Sequence, residues 1–358
     1  MDRVSDTGSP MHGSIAGPGA TGVDRLLESA QAAERGGETL EALRLYGELI
    51  TLTQPGDRRT ADALRRMGCV HRERGETDLA ELRFRESMEL AERIRYEAGV
   101  AHCVNWLAVI EVRRGRLASG EMGFLRAAKM ARSLEDLRLS AQVEQNLAVV
   151  ATIRGDLVGA RARYEAALAG FRGAGDLAMV ASVLNNLGIL HAEARRWRAA
   201  ERAYDEAATL SLRIGDLAIQ NSVELNRAEL AASQTRWSQV ARTSRRALLL
   251  ARQRGDRVRE AEALKVSAMA ARERGELREA EGQLSAAAAL ADQCQDRLLE
   301  AQVGRELGEV YLMAGRPAEA RAAWSRAREM FDTIGAAGDR RQLDERLTQV
   351  PADRTYAR

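Results

Sequence analysis

Hydrophobic and polar positions in this chain follow the spacing of paired amphipathic helices. The stretch from Asn185 to Asp216, NNLGILHAEARRWRAAERAYDEAATLSLRIGD, contains two such helices separated by one turn, and neither has an apolar face wide enough to stand alone. Similar stretches occur 40 residues earlier, from Gln145 to Asp176, and 40 residues later, from Leu225 to Asp256. Self-similarity at a fixed period of roughly 20 to 50 residues is typical of stacked repeats, in which each unit completes its neighbours' core.

Turn residues recur with the same period and predict where the helices end. Glycine can adopt the left-handed conformation that closes a helix, and an aspartate directly after it can cap the next helix. The glycines form two interleaved series, Gly75, Gly115, Gly155, Gly275 and Gly315, and Gly175, Gly215, Gly255 and Gly335. The candidate caps are Asp156, Asp176, Asp216 and Asp256. The pattern predicts eight helix pairs, at residues 24–56, 57–95, 96–135, 136–175, 176–215, 216–255, 256–295 and 296–335.

Three segments follow from this pattern. Residues 1–22 are rich in Gly, Ser, Pro and Thr and lack periodicity, so we predict a disordered N-terminal tail. Residues 23–350 form the repeat array, and residues 351–358 are a short C-terminal tail. The last helix of the array, at 338–350, is predicted to cap it, because its apolar residues share one face; these are Leu343, Leu347 and Val350.

The units resemble the tetratricopeptide repeat, whose motif has a small residue or Gly at position 8, a large residue at 11, Ala at 20, an aromatic residue at 24 and Ala at 27. In the unit at 176–215 these positions hold Gly188, His191, Ala200, Tyr204 and Ala207. Three further units give Gly68, His71, Ala80, Phe84 and Ser87; Ala148, Ala151, Ala160, Tyr164 and Ala167; and Gly308, Tyr311, Ala320, Trp324 and Ala327. The resemblance covers residues 24–335. It implies an all-α fold, a right-handed superhelical solenoid of antiparallel helix pairs.

The chain departs from the common family pattern in two ways. The usual repeat has about 34 residues, whereas this one has 40, a spacing similar to that of kinesin light chains and of repeat domains in bacterial regulators. Two units also lack motif residues, and we expect them to be looser or bent. The unit at 216–255 has Val240 and Ser244 at positions 20 and 24, and the unit at 96–135 has Glu111 and Gly120 at positions 11 and 20.

The overall composition excludes several classes of function. A net charge of +2, from 54 basic and 52 acidic residues, gives no reason to expect nucleic-acid binding. No apolar run approaches the roughly 18 residues of a membrane span, and the N-terminus lacks the features of a signal peptide. Three scattered cysteines without a CxxC pair fit a reducing compartment. We therefore expect a cytoplasmic protein without membrane or nucleic-acid partners, and the preponderance of arginine and alanine indicates a GC-rich bacterial source.

The sequence names no catalytic, cofactor-binding or metal-binding residue. Gly17, Gly19 and Gly22 match GxGxxG, but they lie in the low-complexity tail without a preceding strand, and we interpret them as linker. His71 and His191 fall at the large packing position of their units and are interpreted as core or boundary residues. Carboxylates lie mostly beside arginines, as on solvated helix faces. We expect a protein that is not an enzyme and uses no cofactor or metal.

Asparagines mark a candidate binding surface. The family resemblance implies that the first helix of each pair lines the concave side of the superhelix. Two neighbouring inward positions carry amides in successive units: Asn105, Gln145 and Asn185 at position 5, and Asn146, Asn186 and Asn226 at position 6. Asparagine is a mediocre helix former, and its amide offers both a donor and an acceptor to the backbone of an extended peptide. The alternative is that these asparagines bridge neighbouring helices within the stack.

The two ends of the predicted groove differ in charge. Arg65, Arg66 and Arg72 lie on the N-terminal side, and Trp106 is predicted beside them. Arginine forms bidentate pairs with carboxylates, so we expect these residues to receive an acidic or carboxyl-bearing end of a partner. Trp106 is a candidate anchor, and its alternative role is to fill a loose unit. The C-terminal side mixes Glu229, Glu262, Glu306 and Glu309 with Lys265, Arg272 and Arg305.

These features predict a scaffold or adaptor that binds a peptide or a segment of a partner protein in its concave groove. One alternative is a bacterial signalling or transcription regulator that senses a peptide by changing its superhelical pitch. An enzyme and a nucleic-acid binder with a local arginine stripe are further alternatives. Assembly into homo-oligomers through the convex face stays open.

Overall fold

The computed structural model describes residues 22–350, which form seventeen α-helices joined by short turns and contain no β-strand. The predicted all-α class is therefore confirmed. The helices are α1 (Gly22–Gly36), α2 (Thr39–Leu52), α3 (Arg58–Glu73), α4 (Thr77–Arg93), α5 (Glu97–Arg113), α6 (Leu117–Ser133), α7 (Leu137–Arg154), α8 (Leu157–Gly173), α9 (Leu177–Glu193), α10 (Trp197–Ile214), α11 (Leu217–Ser233), α12 (Trp237–Arg254), α13 (Arg257–Glu273), α14 (Leu277–Gln293), α15 (Arg297–Met313), α16 (Pro317–Ile334) and α17 (Ala337–Gln349).

Some predictions concern the two ends of the chain. The N-terminal tail and its GxGxxG motif lie outside the described residues, except for Gly22, which begins α1. The C-terminal tail lies outside them as well. Helix α17 occupies the place predicted for a capping helix, and its Leu343 is fully buried against the last helix pair.

The helix ends lie where the turn residues predicted them. Gly155, Gly215, Gly255 and Gly335 close their helices with φ between 64° and 86°. The predicted aspartate caps accept hydrogen bonds from a backbone N–H three residues later in the next helix; these are Asp156, Asp176, Asp216 and Asp256. Where the glycine series is interrupted, Arg195 and Thr235 adopt the same left-handed conformation, with φ of 54° and 58°.

Small residues let the two helices of a unit approach each other. A Cβ atom added at Gly188 would lie 2.6 Å from Cδ1 of Tyr204, and one at Gly68 would lie 2.5 Å from Cε1 of Phe84. Gly308 faces Trp324 in the same way, with 2.6 Å to Cε2. Since close helix packing depends on small side chains at the contact, the motif glycines and aromatic residues form complementary pairs. The three aromatic rings are fully buried: Phe84, Tyr204 and Trp324.

The odd-numbered helices form the inner side of the solenoid. From α3 to α15 each odd-numbered helix contacts the next odd-numbered helix, in addition to its neighbours in sequence. The even-numbered helices contact one another less closely, so the stack curves with the odd-numbered helices on its concave face. We call the concave surface of α3, α5, α7, α9, α11, α13 and α15 the inner wall.

The unit at 216–255 departs from its neighbours inside its core. Ser244 is fully buried where other units have an aromatic or leucine side chain. Asn221 is 1% exposed, and neither its Oδ1 nor its Nδ2 has a hydrogen-bond partner in the described part of the chain. The equivalent residue is a buried alanine in six other units: Ala61, Ala101, Ala141, Ala181, Ala261 and Ala301. This unit therefore lacks an aromatic plug and carries an unsatisfied polar group.

The solenoid closes on itself. Thr77 Oγ1 donates a hydrogen bond of 2.5 Å to the carbonyl oxygen of Cys294, and Gln295 Nε2 donates one of 3.0 Å to Asp78 Oδ2. Arg114 Nε donates to Gln295 Oε1 at 2.9 Å. The first two bonds join residues 217 positions apart, which is about 5.4 units of 40 residues. The turn between α3 and α4, within an N-terminal unit, therefore contacts the turn between α14 and α15, which joins two C-terminal units.

Apolar contacts extend this closure over successive turns. Leu117, the first residue of α6, is buried in the core of the last helix pair, beside Ile334 and Ala336. Cys294 is fully buried opposite Gly75. Arg254 packs on Gly37, and α17 contacts α7. We call this line of contacts the seam; it joins the two edges of the helical ribbon after one superhelical turn.

Candidate partner-binding site

The predicted asparagines form two pairs that bridge neighbouring inner helices. Asn146 Nδ2 donates to Asn105 Oδ1 at 2.9 Å, and Asn226 Nδ2 donates to Asn185 Oδ1 at 2.9 Å. Asn105 is fully buried and Asn185 is 7% exposed, whereas Asn146 and Asn226 are half-buried. The two buried asparagines hold Asn146 and Asn226 in a fixed orientation. A partner on the inner wall could contact Asn146 and Asn226 directly, but not the buried Asn105 and Asn185.

Asn186 lies between these pairs in the stack and behaves differently. Its side chain is half-buried and makes no hydrogen bond among residues 22–350. Its neighbour on the previous inner helix, Gln145, donates instead to Ser182 Oγ at 2.9 Å. Because an amide has two N–H donors and an acceptor oxygen, each of the three position-6 asparagines keeps unused hydrogen-bonding capacity. We call Asn146, Asn186 and Asn226 the amide row.

Two of the three predicted arginines are neutralised by carboxylates of the chain. Arg65 pairs with Asp62 at 3.1 Å and Arg66 pairs with Glu34 at 3.0 Å. Tyr46 also donates its hydroxyl proton to Glu34, at 2.5 Å. These contacts compensate the charges of Arg65 and Arg66 within the chain, while the buried Nε of Arg65 has no hydrogen-bond partner among the described residues.

The third arginine lies against the predicted tryptophan. The Arg72 guanidinium carbon is 5.0 Å from the centre of the Trp106 ring, within the range of a cation–π contact. On its other face Trp106 stacks on Phe84 with ring centres 5.8 Å apart. The nearest carboxylate oxygen, of Glu73, is 3.8 Å from Arg72. The structure thus brings Arg72 and Trp106 together, with Trp106 half-buried and filling space in its unit.

Sequence reasoning missed a neighbouring cation, Arg113, at the end of α5. Its Nη1 atom is buried without a hydrogen-bond partner in the described part of the chain. Burial lowers the pKa of Arg113, Asp296 opposes that change, and the positive charges of Arg72 and Arg259 reinforce it. The buried guanidinium of Arg113 is therefore only partly compensated by the charges around it. The local sequence contains no signal for this, because Asp296 and Arg259 come close only through the seam.

The C-terminal end of the inner wall holds a cavity of about 480 Å³ between α13, α15 and α17. Its charged walls are internally paired, since Arg272 contacts Glu306 at 2.8 Å and Arg346 contacts Glu309 at 3.2 Å. Burial raises the pKa of Glu309, against the opposing effect of Arg346. The predicted mixture of charges at this end is present, and α17 adds Arg346 to it.

Residues 22–350 contain neither a metal-binding cluster nor a membrane-spanning helix. No group of three His, Cys, Asp or Glu residues within 22–350 has a geometry that could hold a metal ion. His71 is buried and its Nδ1 lies 2.7 Å from Glu76 Oε2, as a boundary residue would. Among the described helices, none combines the length and the apolar character needed to cross a bilayer.

The fold and inner wall define an α-helical repeat solenoid of stacked helix pairs. The tetratricopeptide repeat family model matches residues 137–213, which span the two helix pairs α7–α8 and α9–α10. The helix pairs on both sides continue the same geometry, so the tetratricopeptide-like architecture extends beyond the matched residues. No curated protein sequence matches it significantly.

Solved structures share this fold at low sequence identity. The APC/C hetero-tetramer Cut9-Hcn1 matches with a TM-score of 0.61 and 15% identity, over 89% of this chain and 55% of that one. This chain therefore spans about half the length of that relative. A Rap protein complexed with Competence and Sporulation Factor matches with a TM-score of 0.56 and 11% identity, over 92% and 97% of the two chains. The Rap conjugation gene regulator of plasmid pLS20, in complex with the Phr* peptide, matches with a TM-score of 0.56 and 14% identity, over 76% of this chain and 74% of that one.

Proposed function

We propose that this protein is an interaction module that binds an extended peptide, or an extended segment of a partner protein, along its inner wall. The observation that carries the proposal is the amide row. Three half-buried asparagines occupy the same register of three successive inner helices, and two of them are oriented by buried asparagines. Their unused donors and acceptors suit the peptide backbone, which has one of each per residue.

The dimensions and charges set the kind of segment expected. Inner helices about 8–10 Å apart place the amide row over roughly 20 Å, which is about six residues of extended chain. Arg72 and Arg113 lie toward the N-terminal side with incomplete compensation. An acidic side chain or a C-terminal carboxylate of the segment would complete their pairing, and Trp106 offers an aromatic face beside them.

A sequence-blind selection tests the proposal. Random linear peptides of about ten residues displayed on phage would be selected against the wild-type protein, and the affinity of one selected peptide would be measured by calorimetry. Each lost hydrogen bond costs about 0.5–1.5 kcal/mol, so the triple variant Asn146→Ala/Asn186→Ala/Asn226→Ala should bind at least about tenfold more weakly.

Two controls separate binding from folding. Asn186→Ala removes no hydrogen bond of the chain itself, so stability should be unchanged. The loss of its bond to the peptide should weaken binding by about twofold or more. Asn221→Ala replaces a buried asparagine outside the amide row and should leave the affinity unchanged. A triple variant that is helical by circular dichroism and binds with wild-type affinity would contradict the proposal.

A peptide-sensing regulator is the second candidate function. Two of the similar structures were solved with a bound factor or peptide, and one of them is described as a gene regulator. A sensor should change its superhelical pitch when the selected peptide binds, and small-angle X-ray scattering would report this as a change in the radius of gyration. A static scaffold should keep its scattering curve.

A further inference from the structure

The cavity between α13, α15 and α17 lies where the amide row leads. Its volume of about 480 Å³ falls within the roughly 300–1,000 Å³ of ligand sites. Glu306 in its wall has the repeat position of the amide row, because it follows Asn226 by two repeats of 40 residues. A segment that lies on the amide row and continues across the inner helices toward the C-terminus therefore reaches this cavity.

The spacing of the helices gives the length of such a segment. Two helix spacings of about 8–10 Å separate α11 from α15, which is again about six residues of extended chain. With about six residues over the amide row itself, a segment of about twelve residues spans both the row and the cavity.

The cavity and its immediate partners carry more negative than positive charge. Three arginines line the cavity: Arg272, Arg305 and Arg346. The carboxylates that line it or pair with these arginines are Glu273, Glu306, Glu309, Asp339 and Glu345. Five carboxylates against three guanidinium groups leave an excess of two negative charges, so a cation is the group that would balance this end of the inner wall.

Several acceptors in the cavity wall have unused capacity. Glu345 is exposed, and its side chain forms no ion pair or hydrogen bond among residues 22–350; the same holds for the amides of Gln342 and Gln349. Arg346 contacts Glu309 only at Oε1, at 3.2 Å. Burial raises the pKa of Glu309 against the opposing effect of Arg346, so a further positive charge would favour its ionised form.

We propose that this cavity receives a basic end of the bound segment. The inference rests on the function proposed above and specifies its partner as a segment of about twelve residues with a positive charge at one end. That charge is the N-terminal ammonium group or a lysine or arginine side chain, since each presents N–H donors to carboxylates and amide oxygens. Met269 supplies an apolar surface in the wall for the stem of such a group. Because Arg72 lies on the other side of the amide row, the segment would run from its basic end in the cavity toward an acidic end beside Arg72.

Glu345 allows this to be tested without disturbing the fold. Glu345→Gln removes a carboxylate of the cavity wall that makes no contact inside the described chain, and Glu345→Arg reverses its charge. Glu329→Gln is the matched control. Glu329 is also exposed and forms no ion pair within residues 22–350, but it lies on the outer helix α16, away from the cavity. Any effect of net charge alone will therefore appear in both glutamine variants.

Random linear peptides of about fifteen residues, displayed on phage with free N-termini, would be selected against the wild-type protein. One selected peptide would be measured by calorimetry at low ionic strength, where charges are least screened. It would be used unchanged, with an acetylated N-terminus, and with every lysine and arginine replaced by methionine. One of the two modified forms should bind wild type about two- to fivefold more weakly, as expected for a partly exposed ion pair, and which form it is identifies the source of the charge.

The protein variants should report the same interaction. The unchanged peptide should bind Glu345→Gln about two- to fivefold more weakly than wild type and Glu345→Arg more weakly still, whereas Glu329→Gln should bind it with wild-type affinity. The modified peptide that lacks the relevant charge should bind Glu345→Gln and wild type equally, because the two changes remove the same interaction.

Three results would overturn the proposal. Wild-type affinity of the unchanged peptide for Glu345→Arg would show that no cation lies in the cavity. Equal losses in Glu345→Gln and Glu329→Gln would show an effect of net charge rather than a site. Failure of any linear peptide to bind wild type would remove the function proposed above together with this inference, and is distinguished from the other two because binding is then absent before any variant is compared.

Discussion

Two adjacent units of this solenoid have the same topology and different cores. In the unit at 176–215, Tyr204 is fully buried over Gly188, and the core is apolar. In the unit at 216–255, Ser244 takes the place of the tyrosine and Asn221 lies unsatisfied in the core. The family model covers the first of these units and ends at residue 213, before the second. A helix pair can thus keep its place in the stack without its motif residues, because neighbouring units supply the packing.

The largest expected effect comes from giving the first unit the serine of the second. Tyr204→Ser removes a fully buried aromatic ring and leaves a cavity beside Gly188, so the free energy of unfolding should fall by about 3–5 kcal/mol. Urea unfolding followed by circular dichroism measures it. Ser244→Ala changes the equivalent position of the second unit and should lower the free energy of unfolding by less than about 1 kcal/mol. Equal losses in both variants would mean that the aromatic plug is not what distinguishes the units.

Overpacking the same contact should have the next largest effect. In Gly188→Leu the new side chain meets the Tyr204 ring, because a Cβ there already lies 2.6 Å from Cδ1, and the loss should be about 1–3 kcal/mol. Gly282→Leu is the control, since Gly282 lies in α14 with open space around its Cβ position. That variant should be as stable as wild type or slightly more stable. A Gly188→Leu protein with the melting temperature of wild type would show the helix contact to be misplaced.

Repairing the second unit should raise stability. Asn221→Ala restores the alanine of the other units and removes two buried polar atoms without partners, so a gain of about 1–2 kcal/mol is expected. The reverse change in the first unit, Ala181→Asn, should destabilise the protein. Hydrogen exchange of α11 and α12 would localise the gain, and faster exchange there in Asn221→Ala would contradict this reading of the core.

The smallest effect concerns the turn within each unit. Thr235 has φ 58°, a conformation that is costly for a β-branched residue, and other units have glycine at the same turn. Thr235→Gly should therefore stabilise by up to about 1 kcal/mol, after allowance for the greater freedom of glycine in the unfolded chain. Arg195→Gly in the first unit should gain less, since arginine is not β-branched. Thermal melts of the two variants would compare their gains in stability. A larger gain for Arg195→Gly than for Thr235→Gly would contradict this prediction.

The repeat register predicted which residues lie at the candidate site. It did not predict which of them are buried between helices and which face the inner wall. The periodic asparagines indicated the inner helices. The bridging interpretation describes the pairs Asn105–Asn146 and Asn185–Asn226, and the binding role of the amide row stays a prediction. Adjacent helical positions differ by about 100° around the axis, so Asn105 and Asn185 turn into the contact between helices while Asn146 and Asn226 turn toward the inner wall. Which of two neighbouring amides would be buried depends on how closely the next helix packs.

The sequence by itself determined the repeat period, the helix ends and the pairs of glycine and aromatic residues, because these depend on residues within one unit or its neighbours. The tertiary structure alone decided that the ribbon closes at a seam joining Thr77 to Cys294 and Leu117 to Ile334. The curvature of a solenoid is a sum of small rotations over many units. No single residue encodes that sum, and the residues that meet after one full turn share no repeating pattern that a linear sequence would display.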